Sequence, residues 1–188
     1  MYIEMEKKYS YNQDDYEKIV KNCKFEGIKD IKDYYLDMPD YRLFKNKFYL
    51  RMRNGIYELK ITTINDETNL ITSKEIIGDD EIDDILKNEF DISIDETSGV
   101  LFIDTSREKY SYVLGGETII IDFDSFQYGK RYEIEVVSES KTSTEVDVLI
   151  EEFRKILGLE SFYDGEQSAK ATVCARNQNL EIYEILKI

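Results

Sequence analysis

The sequence predicts an α+β fold built on a mostly antiparallel sheet. Segments in which apolar and charged residues alternate, the pattern of a strand with two unlike faces, outnumber the segments with helical periodicity. Many strands followed by a few helices are typical of this fold class. The chain has 188 residues, of which 41% are hydrophobic, which is enough for one domain with a sizeable core. We therefore predict a single domain over residues 1–188.

Strands are predicted where β-branched and aromatic residues alternate with charged ones between turn residues. The dipeptide Asn54-Gly55 separates two such runs and predicts a tight hairpin turn. The predicted strands span residues 2–9, 33–37, 47–53, 56–64, 70–77, 100–106, 108–115, 117–125 and 131–138.

The first helix is predicted at residues 14–24, with Asp14 as its N-cap. Its apolar face comprises Tyr16, Ile19, Val20 and Cys23. Two less distinct helical patterns cover residues 80–89 and 166–187.

The clearest helix is predicted at residues 144–157, between Thr144 as N-cap and Gly158 after its end. Its apolar stripe comprises Val146, Leu149, Ile150, Phe153 and Leu157. We interpret this stripe as core.

The composition excludes several classes of function. A formal net charge of −15 argues against a general nucleic-acid binder, although a local basic cluster can still hold a small anion. The chain contains no His, which excludes a Ser–His–Asp triad, a Cys–His pair and a His-ligated zinc site. Cys23 and Cys174 lack metal-binding spacing, and no signal peptide or long apolar run is visible. These features predict a reduced, soluble, cytoplasmic protein without a membrane partner, and they leave its oligomeric state open.

Charged residues are paired on one face of several predicted strands. In IEMEKKY, residues 3–9, one face carries Glu4, Glu6 and Lys8. The other pairs are Arg51 with Arg53, Glu58 with Lys60, Asp122 with Asp124, and Glu133 with Glu135. One such strand alone is typical of a solvated face, but here one sign of charge dominates in most of the pairs.

A sheet that curls with these faces inward encloses cationic and anionic walls. Burial of so many ions costs on the order of several kcal/mol for each ion unless the ion is paired or solvated. A water-filled tunnel that holds metal and polyphosphate removes this objection. Arg and Lys suit phosphate oxygens, and clustered carboxylates suit Mg²⁺ or Mn²⁺.

IEMEKKY resembles the ExExK signature of the CYTH superfamily, also called triphosphate tunnel metalloenzymes. Three further blocks resemble that family in the same order: YYLDMPDYRLFKNKFYLRMRNGIYELK, IIIDFDSFQYGKRYEIEVV and SAKATVCARNQNLEIYEIL. Within the family, the similarity is greatest to thiamine triphosphatases. It implies a closed antiparallel β tunnel of about eight strands with helices packed outside. It also implies hydrolysis of a terminal triphosphate with a divalent metal, Mg²⁺ or Mn²⁺.

The resemblance also implies site residues. The implied metal ligands are Glu4, Glu6, Asp122, Glu133 and Glu135. The implied triphosphate-binding cations are Lys8, Arg51, Arg53, Lys60, Arg107 and Lys170. Glu133, Glu135 and Lys170 are the candidate catalytic residues, with an acid orienting the attacking water and Lys170 closing on the terminal phosphate. Asp124 and Glu75 are candidates for supporting roles, and Glu58 for orienting Lys60 or a neighbouring Arg.

The chain departs from the family pattern at three places. Arg107 matches after a one-residue shift, so Ser106 and Lys109 remain rivals for its role. Tyr49 replaces a Trp of animal thiamine triphosphatases, and Ser73 stands where an aromatic residue is expected. The last two departures lie where the resemblance places an organic leaving group.

Three functions are compatible with these residues. The first is a triphosphatase acting on thiamine triphosphate or inorganic tripolyphosphate. The second is a class IV type adenylyl cyclase that directs the ribose oxygen of ATP at the α-phosphate. The third is a non-catalytic module that binds polyphosphate or nucleotide.

Overall fold

The chain is described by a computed structural model that covers residues 2–65, 70–138, 140–162 and 169–187. Its strands are β1 (Tyr2–Ser10), β2 (Lys24–Asp37), β3 (Phe48–Arg53), β4 (Ile56–Ile64), β5 (Ile71–Ile77), β6 (Ser98–Leu114), β7 (Glu117–Phe126) and β8 (Gly129–Val137). They form a closed antiparallel barrel in the order β1-β5-β4-β3-β2-β6-β7-β8. The predicted α+β fold with a closed tunnel is therefore confirmed.

Helices pack on the outside of this barrel. They are α1 (Gln13–Asn22), α2 (Arg42–Lys45), α3 (Asp79–Phe90), α4 (Ser143–Leu157), α5 (Lys170–Gln178) and α6 (Leu180–Leu186), and a 3₁₀ turn spans Ile94–Glu96. Helices α1 and α4 cover β1, β7 and β8, whereas α3 covers β3, β4 and β5. Helices α2, α5 and α6 pack together over one end of β2 and β6. Within the described ranges, no helix is both long and apolar enough to span a membrane.

The outer faces of the strands supply the hydrophobic core, which is the reverse of a barrel with a packed interior. Ile119 and Ile121 of β7, Ile134 and Val136 of β8 and Met5 of β1 are all buried against the helices. Because side chains alternate across a strand, the intervening charged residues of the same strands face the inside of the barrel.

Two strands differ from their predicted bounds. Strand β2 begins at Lys24, well before the predicted residue 33, because its first half pairs with β6 over Lys24↔Ser111 to Asp33↔Ile103. That half carries charges on both faces and therefore shows no sequence alternation. The two strands predicted at 100–106 and 108–115 form one strand, β6, which pairs without interruption with β7 from Thr105 to Leu114.

Two predicted N-caps are wrong. Asn12, not Asp14, caps α1, and its side chain accepts hydrogen bonds from the backbone N–H groups of Asp14 and Asp15. Thr142, not Thr144, caps α4 in a capping box with Glu145. In both cases a residue slightly upstream supplies the side-chain oxygen, which satisfies an unpaired N–H of the first turn. The predicted end at Gly158 is confirmed, since this residue adopts the left-handed conformation there.

Three other local predictions have mixed outcomes. Val20 is 43% exposed, so it lies at the margin of the apolar face predicted for α1. The predicted tail helix is two helices, because Asn179 ends α5 and its side chain caps α6; residues 166–168 of that prediction lie outside the described residues. The hairpin at Asn54-Gly55 is confirmed, with φ of 50° and 87° at its two residues.

Candidate active site

A cavity of about 100 Å³ lies inside the barrel, and most of the charged residues predicted for the site line it. These residues are Glu4, Glu6, Lys8, Arg51, Arg53, Lys60, Arg107, Glu133 and Lys170. The strand register explains the convergence. Lys8 lies opposite Glu133 and Glu6 opposite Glu135 across the β1–β8 ladder, and in each directly opposed pair both side chains project to the same face.

The first cationic wall is formed by Arg51 and Arg53 of β3. Arg53 donates from Nε and Nη2 to the two carboxylate oxygens of Asp33, at 2.7 and 2.9 Å. Arg51 donates from Nη2 to Glu58 at 2.7 Å and to Glu75 at 3.3 Å. Glu58 therefore orients an Arg, which was one of its two predicted roles, and Glu75 supports the same guanidinium. The acids hold both Arg side chains in fixed positions along the tunnel wall.

Two lysines also line the tunnel, Lys60 of β4 and Lys8 of β1. Lys60 donates to Glu4 at 2.5 Å and to Glu6 at 3.3 Å. Lys8 lies 2.9 Å from Glu6. Although burial alone lowers the pKa of Lys60, Glu4 and Glu6 raise it well above its ordinary value, so this ammonium stays charged.

Arg107 joins the second wall, formed by β6, β7 and β8. It donates to both oxygens of Asp124 at 2.7 Å, to Asp122 at 2.5 Å and to Glu133 at 3.4 Å. Of its two rivals, Ser106 is exposed, whereas Lys109 lies 3.7 Å from Asp122. Arg107 contacts three of the acids and Lys109 lies near the edge of the same acid set.

Lys170 reaches the tunnel from the first residue of α5. Its Nζ lies 2.5 Å from Asp124. Burial lowers the pKa of Lys170, and Asp124 offsets part of that shift. Asp124 thus holds both Arg107 and Lys170, and although burial opposes ionisation, these two cations keep its pKa below the ordinary value.

At the other side of the tunnel, Glu135 feels the charges of two further acids, Glu4 and Asp122. Burial, followed by the charges of Glu4 and Asp122, raises the pKa of Glu135 well above its ordinary value. Burial also raises the pKa of Asp122 to about 6, despite the opposing effect of Arg107. Glu4 and Glu135 share a hydrogen bond, and Lys60 lowers the pKa of Glu4 against the effect of burial.

This acid set fits a divalent cation by its chemistry. Asp122 Oδ1 is buried and has no hydrogen-bond partner among the described residues. Carboxylate oxygens that are crowded and incompletely paired are the ligands that Mg²⁺ and Mn²⁺ prefer. Within residues 2–65, 70–138, 140–162 and 169–187, however, no three acidic or Cys side chains already converge on one point, because most of them turn toward a cation.

Two buried residues of the site were missed by the sequence analysis. Asp33 is 1% exposed and fixes Arg53, as described above. Arg131 is 2% exposed and lies 3.1 Å from Glu133, where it is the largest of the influences that lower the pKa of this acid against the effect of burial. Arg131 lies two positions from Glu133 on β8, so an extension of the same alternation would have found it. Asp33 lies between Ile31 and Tyr35 on its face of β2, so no paired charge marks it in the sequence.

The aromatic residues near the site pack on the helices. Tyr35, Tyr49 and Leu186 line the cavity where α5 and α6 cover it. Tyr35 and Tyr49 both contact Phe44, with ring centroids 6.0 and 5.7 Å apart. Ser73 is buried and its hydroxyl lies 3.2 Å from that of Thr62. We call the end of the tunnel that α5 and α6 cover, where Tyr35, Tyr49 and Leu186 lie, the helix-covered mouth.

The chain belongs to the CYTH family. The model of the CYTH domain matches residues 2–168, which is most of the chain and includes all the tunnel strands. Lys170 lies just beyond the matched residues. No match was found among curated proteins.

Several solved structures share this fold. The PH1819 protein from Pyrococcus horikoshii is 27% identical, with a TM-score of 0.60 over 85% of this chain and 92% of that one. A protein from Hippeastrum, described as a putative adenylyl cyclase with a dominant triphosphatase activity, is 18% identical, with a TM-score of 0.67 over 97% and 99% of the two chains. A putative adenylate cyclase from Bacillus halodurans is 16% identical, with a TM-score of 0.55 over 84% and 90%. The last two likenesses concern the fold alone.

Proposed function

We propose that this protein is a divalent-metal-dependent hydrolase that releases inorganic phosphate from a terminal triphosphate, thiamine triphosphate or inorganic tripolyphosphate. The observation that carries the proposal is the ring of cations inside the barrel, of which Arg51 is buried and the others are half-buried. Arg51, Arg53, Lys60, Arg107 and Lys170 line one cavity, and each is held by at least one carboxylate. A triphosphate carries several negative charges in a row, which such a ring can neutralise along its whole length.

The cations bind and orient the substrate. Arg51 and Arg53 present planar guanidinium groups that suit bidentate contact with phosphate oxygens. Lys8, Lys60 and Lys170 supply point charges around them. Phosphoryl transfer depends mainly on positioning and on neutralising the charge that develops on the transferred group, so a rigid cationic tunnel provides most of what the reaction needs.

The acids would hold the metal. Glu4, Glu6, Asp122, Glu133 and Glu135 supply the carboxylate oxygens, with Glu4, Asp122 and Glu135 as the most crowded of them. When bound, Mg²⁺ or Mn²⁺ neutralises charge on the phosphate oxygens and lowers the pKa of water. Binding of a cation would also offset the burial and the neighbouring negative charges that raise the pKa values of Asp122 and Glu135.

Glu133 is the residue we assign to orienting the attacking water. Arg131 and Arg107 keep its pKa well below the ordinary value against the effect of burial, so it is a carboxylate at neutral pH. It is 7% exposed, and Arg131 contacts one of its oxygens while Arg107 contacts the other. A fixed, ionised carboxylate can accept a hydrogen bond from water in one defined direction.

Adenylyl cyclase activity is the second candidate function, because a larger cavity, of about 380 Å³, opens beside Glu4, Glu135 and Lys109. That volume lies within the range of pockets that hold nucleoside-sized ligands, roughly 300–1,000 Å³.

The test is a parallel assay with Mg²⁺ or Mn²⁺ on thiamine triphosphate, inorganic tripolyphosphate and ATP, with phosphate and cyclic AMP both measured. Release of phosphate from one of the first two substrates is the expected result. Cyclic AMP as the main product from ATP would instead support the cyclase. Tight binding of tripolyphosphate without turnover of any substrate would make the protein a binding module.

A further inference from the structure

Two arginines hold the carboxylate of Glu133, one at each oxygen. Arg131 Nη2 lies 3.1 Å from Oε1, and Arg107 Nη2 lies 3.4 Å from Oε2. Glu133 is the residue assigned above to orienting the attacking water, and the direction of its oxygens decides where that water lies. The contact that holds this carboxylate while the substrate is bound therefore bears on catalysis as well as on stability.

Arg107 is open to competition from the substrate. It lines the cavity inside the barrel, which we call the substrate cavity. Its contact with Glu133 is the longest of those that it makes with three acids. A guanidinium offers five N–H donors in a fixed plane, so a phosphate that binds Arg107 from the cavity draws on the same donors. The contact of Arg107 with Glu133 is therefore the one that weakens when a triphosphate binds.

Arg131 lies behind Glu133 as seen from the substrate cavity. It is 2% exposed. Of the two residues, Glu133 is among the described residues that line the substrate cavity and Arg131 is not. Arg131 lines instead a separate cavity of about 220 Å³, together with Tyr11, Phe123 and Lys130. A triphosphate in the tunnel therefore does not compete for the contact between Arg131 and Glu133.

The strand register places Arg131 next to the acids. Arg131 and Glu133 lie two positions apart on β8, so their side chains share the inner face. Arg131 lies directly opposite Asp124 of β7, and Asp124 holds Lys170 of α5. Arg131 is therefore on the side of the tunnel toward the helix-covered mouth. Because both neighbours belong to paired strands, the ion pair with Glu133 has a rigid frame.

We propose that Arg131 is a positioning residue, which keeps the carboxylate of Glu133 directed at the attacking water when the triphosphate has engaged the donors of Arg107. This inference rests on the proposed function and deepens it. Arg131 does not touch the substrate and acts through Glu133. Residues that orient a reacting group in this way commonly contribute about 10- to 100-fold in activity.

The experiment measures kcat and KM in Arg131→Met, Arg131→Lys and Arg107→Met, at saturating Mg²⁺, for whichever of thiamine triphosphate and tripolyphosphate turns over faster. Arg131→Met is expected to lower kcat by about 10- to 100-fold and to leave KM within about twofold. Arg107→Met should raise KM as well, because Arg107 contacts the phosphates. Arg131→Lys is expected to recover most of kcat, since one ammonium can supply the single contact with Oε1.

Arg154→Met is the matched control variant. The side chain of Arg154 is 16% exposed on α4, outside the tunnel, where it pairs with Glu151 and donates to the backbone oxygen of Ser161. Its loss should lower the urea midpoint of unfolding and leave kcat and KM unchanged. If Arg131→Met does not fold, Arg131→Gln, with an uncharged polar side chain, takes its place with the same expectation.

Three kinetic results would overturn the proposal. They are a kcat of Arg131→Met within about twofold of the wild type, a joint change of kcat and KM as in Arg107→Met, and an equal loss of kcat in Arg154→Met.

If the wild type turns over no substrate, the hydrolase proposal fails on that result alone. Whether Arg131 holds Glu133 beside a bound triphosphate is then decided by a double-mutant cycle of Arg131→Met and Glu133→Gln, measured by urea unfolding with and without tripolyphosphate. A coupling between the two residues that persists when tripolyphosphate is bound supports the proposal. A coupling that is absent, or that disappears with the ligand, overturns it.

Discussion

Replacement of Asp122 by Asn is predicted to stabilise the metal-free protein at neutral pH. Asp122 is 1% exposed, and one of its oxygens has no hydrogen-bond partner among the described residues. Burial is the largest cause that raises its pKa from 3.8 to about 6, and contact with Arg107 offsets only part of that effect. Ionised Asp122 therefore opposes folding, which is the common situation of an acid that serves a ligand rather than the fold.

The size of the effect follows from the pKa shift. A rise of roughly two units corresponds to about 3 kcal/mol, at ~1.4 kcal/mol per unit. Because the pKa of this acid is higher in the folded state, its contribution to stability is present below pH 4 and is lost as the pH rises through 6. The difference between Asp122→Asn and the wild type should therefore be small near pH 4 and approach about 3 kcal/mol by pH 8.

The assay is urea unfolding of both proteins with a chelator at several pH values between 4 and 8. Asp124→Asn is the matched control with the opposite sign, because Lys170 and Arg107 lower the pKa of Asp124 against the effect of burial. This variant should destabilise the protein by about 3 kcal/mol at pH 8, since it leaves two half-buried cations with one partner fewer. A destabilised Asp122→Asn at pH 8, or a difference that does not vary with pH, would refute the reasoning.

Three other predictions concern binding, catalysis and local stability. Arg53→Ala should raise KM for tripolyphosphate by about tenfold to 100-fold, because one charge-assisted contact is lost. Arg42→Ala should leave steady-state kinetics unchanged, because the side chain of Arg42 is 41% exposed and pairs with Asp40 outside the tunnel. Lys170→Gln should lower kcat more than it raises KM if Lys170 neutralises charge that develops on the terminal phosphate; an equal change in kcat and KM at several pH values would count against this role. Asn12→Ala removes the cap of α1 and should lower the free energy of unfolding by about 1 kcal/mol, measured by urea titration, with no change in KM.

Most of the fold was predictable because the barrel obeys local alternation. In β4, β7 and β8, one face packs on helices and the other faces the tunnel, so period-two patterning marks both faces. The first half of β2 has no such contrast, since neither face packs in a hydrophobic cluster, and its strand conformation comes from pairing with β6. That pairing is a long-range contact which local patterning does not encode.

The charged residues of the site were predictable as types, but their pairing was not. Alternation indicated that Arg51, Arg53 and Glu58 share the inner faces, yet Asp33 was missed because its neighbours on the same face of β2, Ile31 and Tyr35, are uncharged and form no charged pair with it. The sequence left open whether Glu58 orients Lys60 or an Arg. The β3–β4 register decides this, because it places Glu58 opposite Arg51. The break at Asn179 depended on a side-chain cap, which competes with helix continuation through hydrogen bonds of similar strength.

The measurement that tests the central claim most directly is metal-dependent phosphate release by the wild type and by Glu133→Gln. The wild type is predicted to release phosphate from thiamine triphosphate or tripolyphosphate with Mg²⁺ or Mn²⁺ and to stop when a chelator is added. Glu133→Gln is predicted to lose at least about 100-fold in kcat, because an amide cannot replace the carboxylate that orients the water, while its circular dichroism stays that of the wild type. Near-normal turnover by Glu133→Gln would contradict the assignment of Glu133, and a wild type without phosphate release from either substrate would contradict the hydrolase itself.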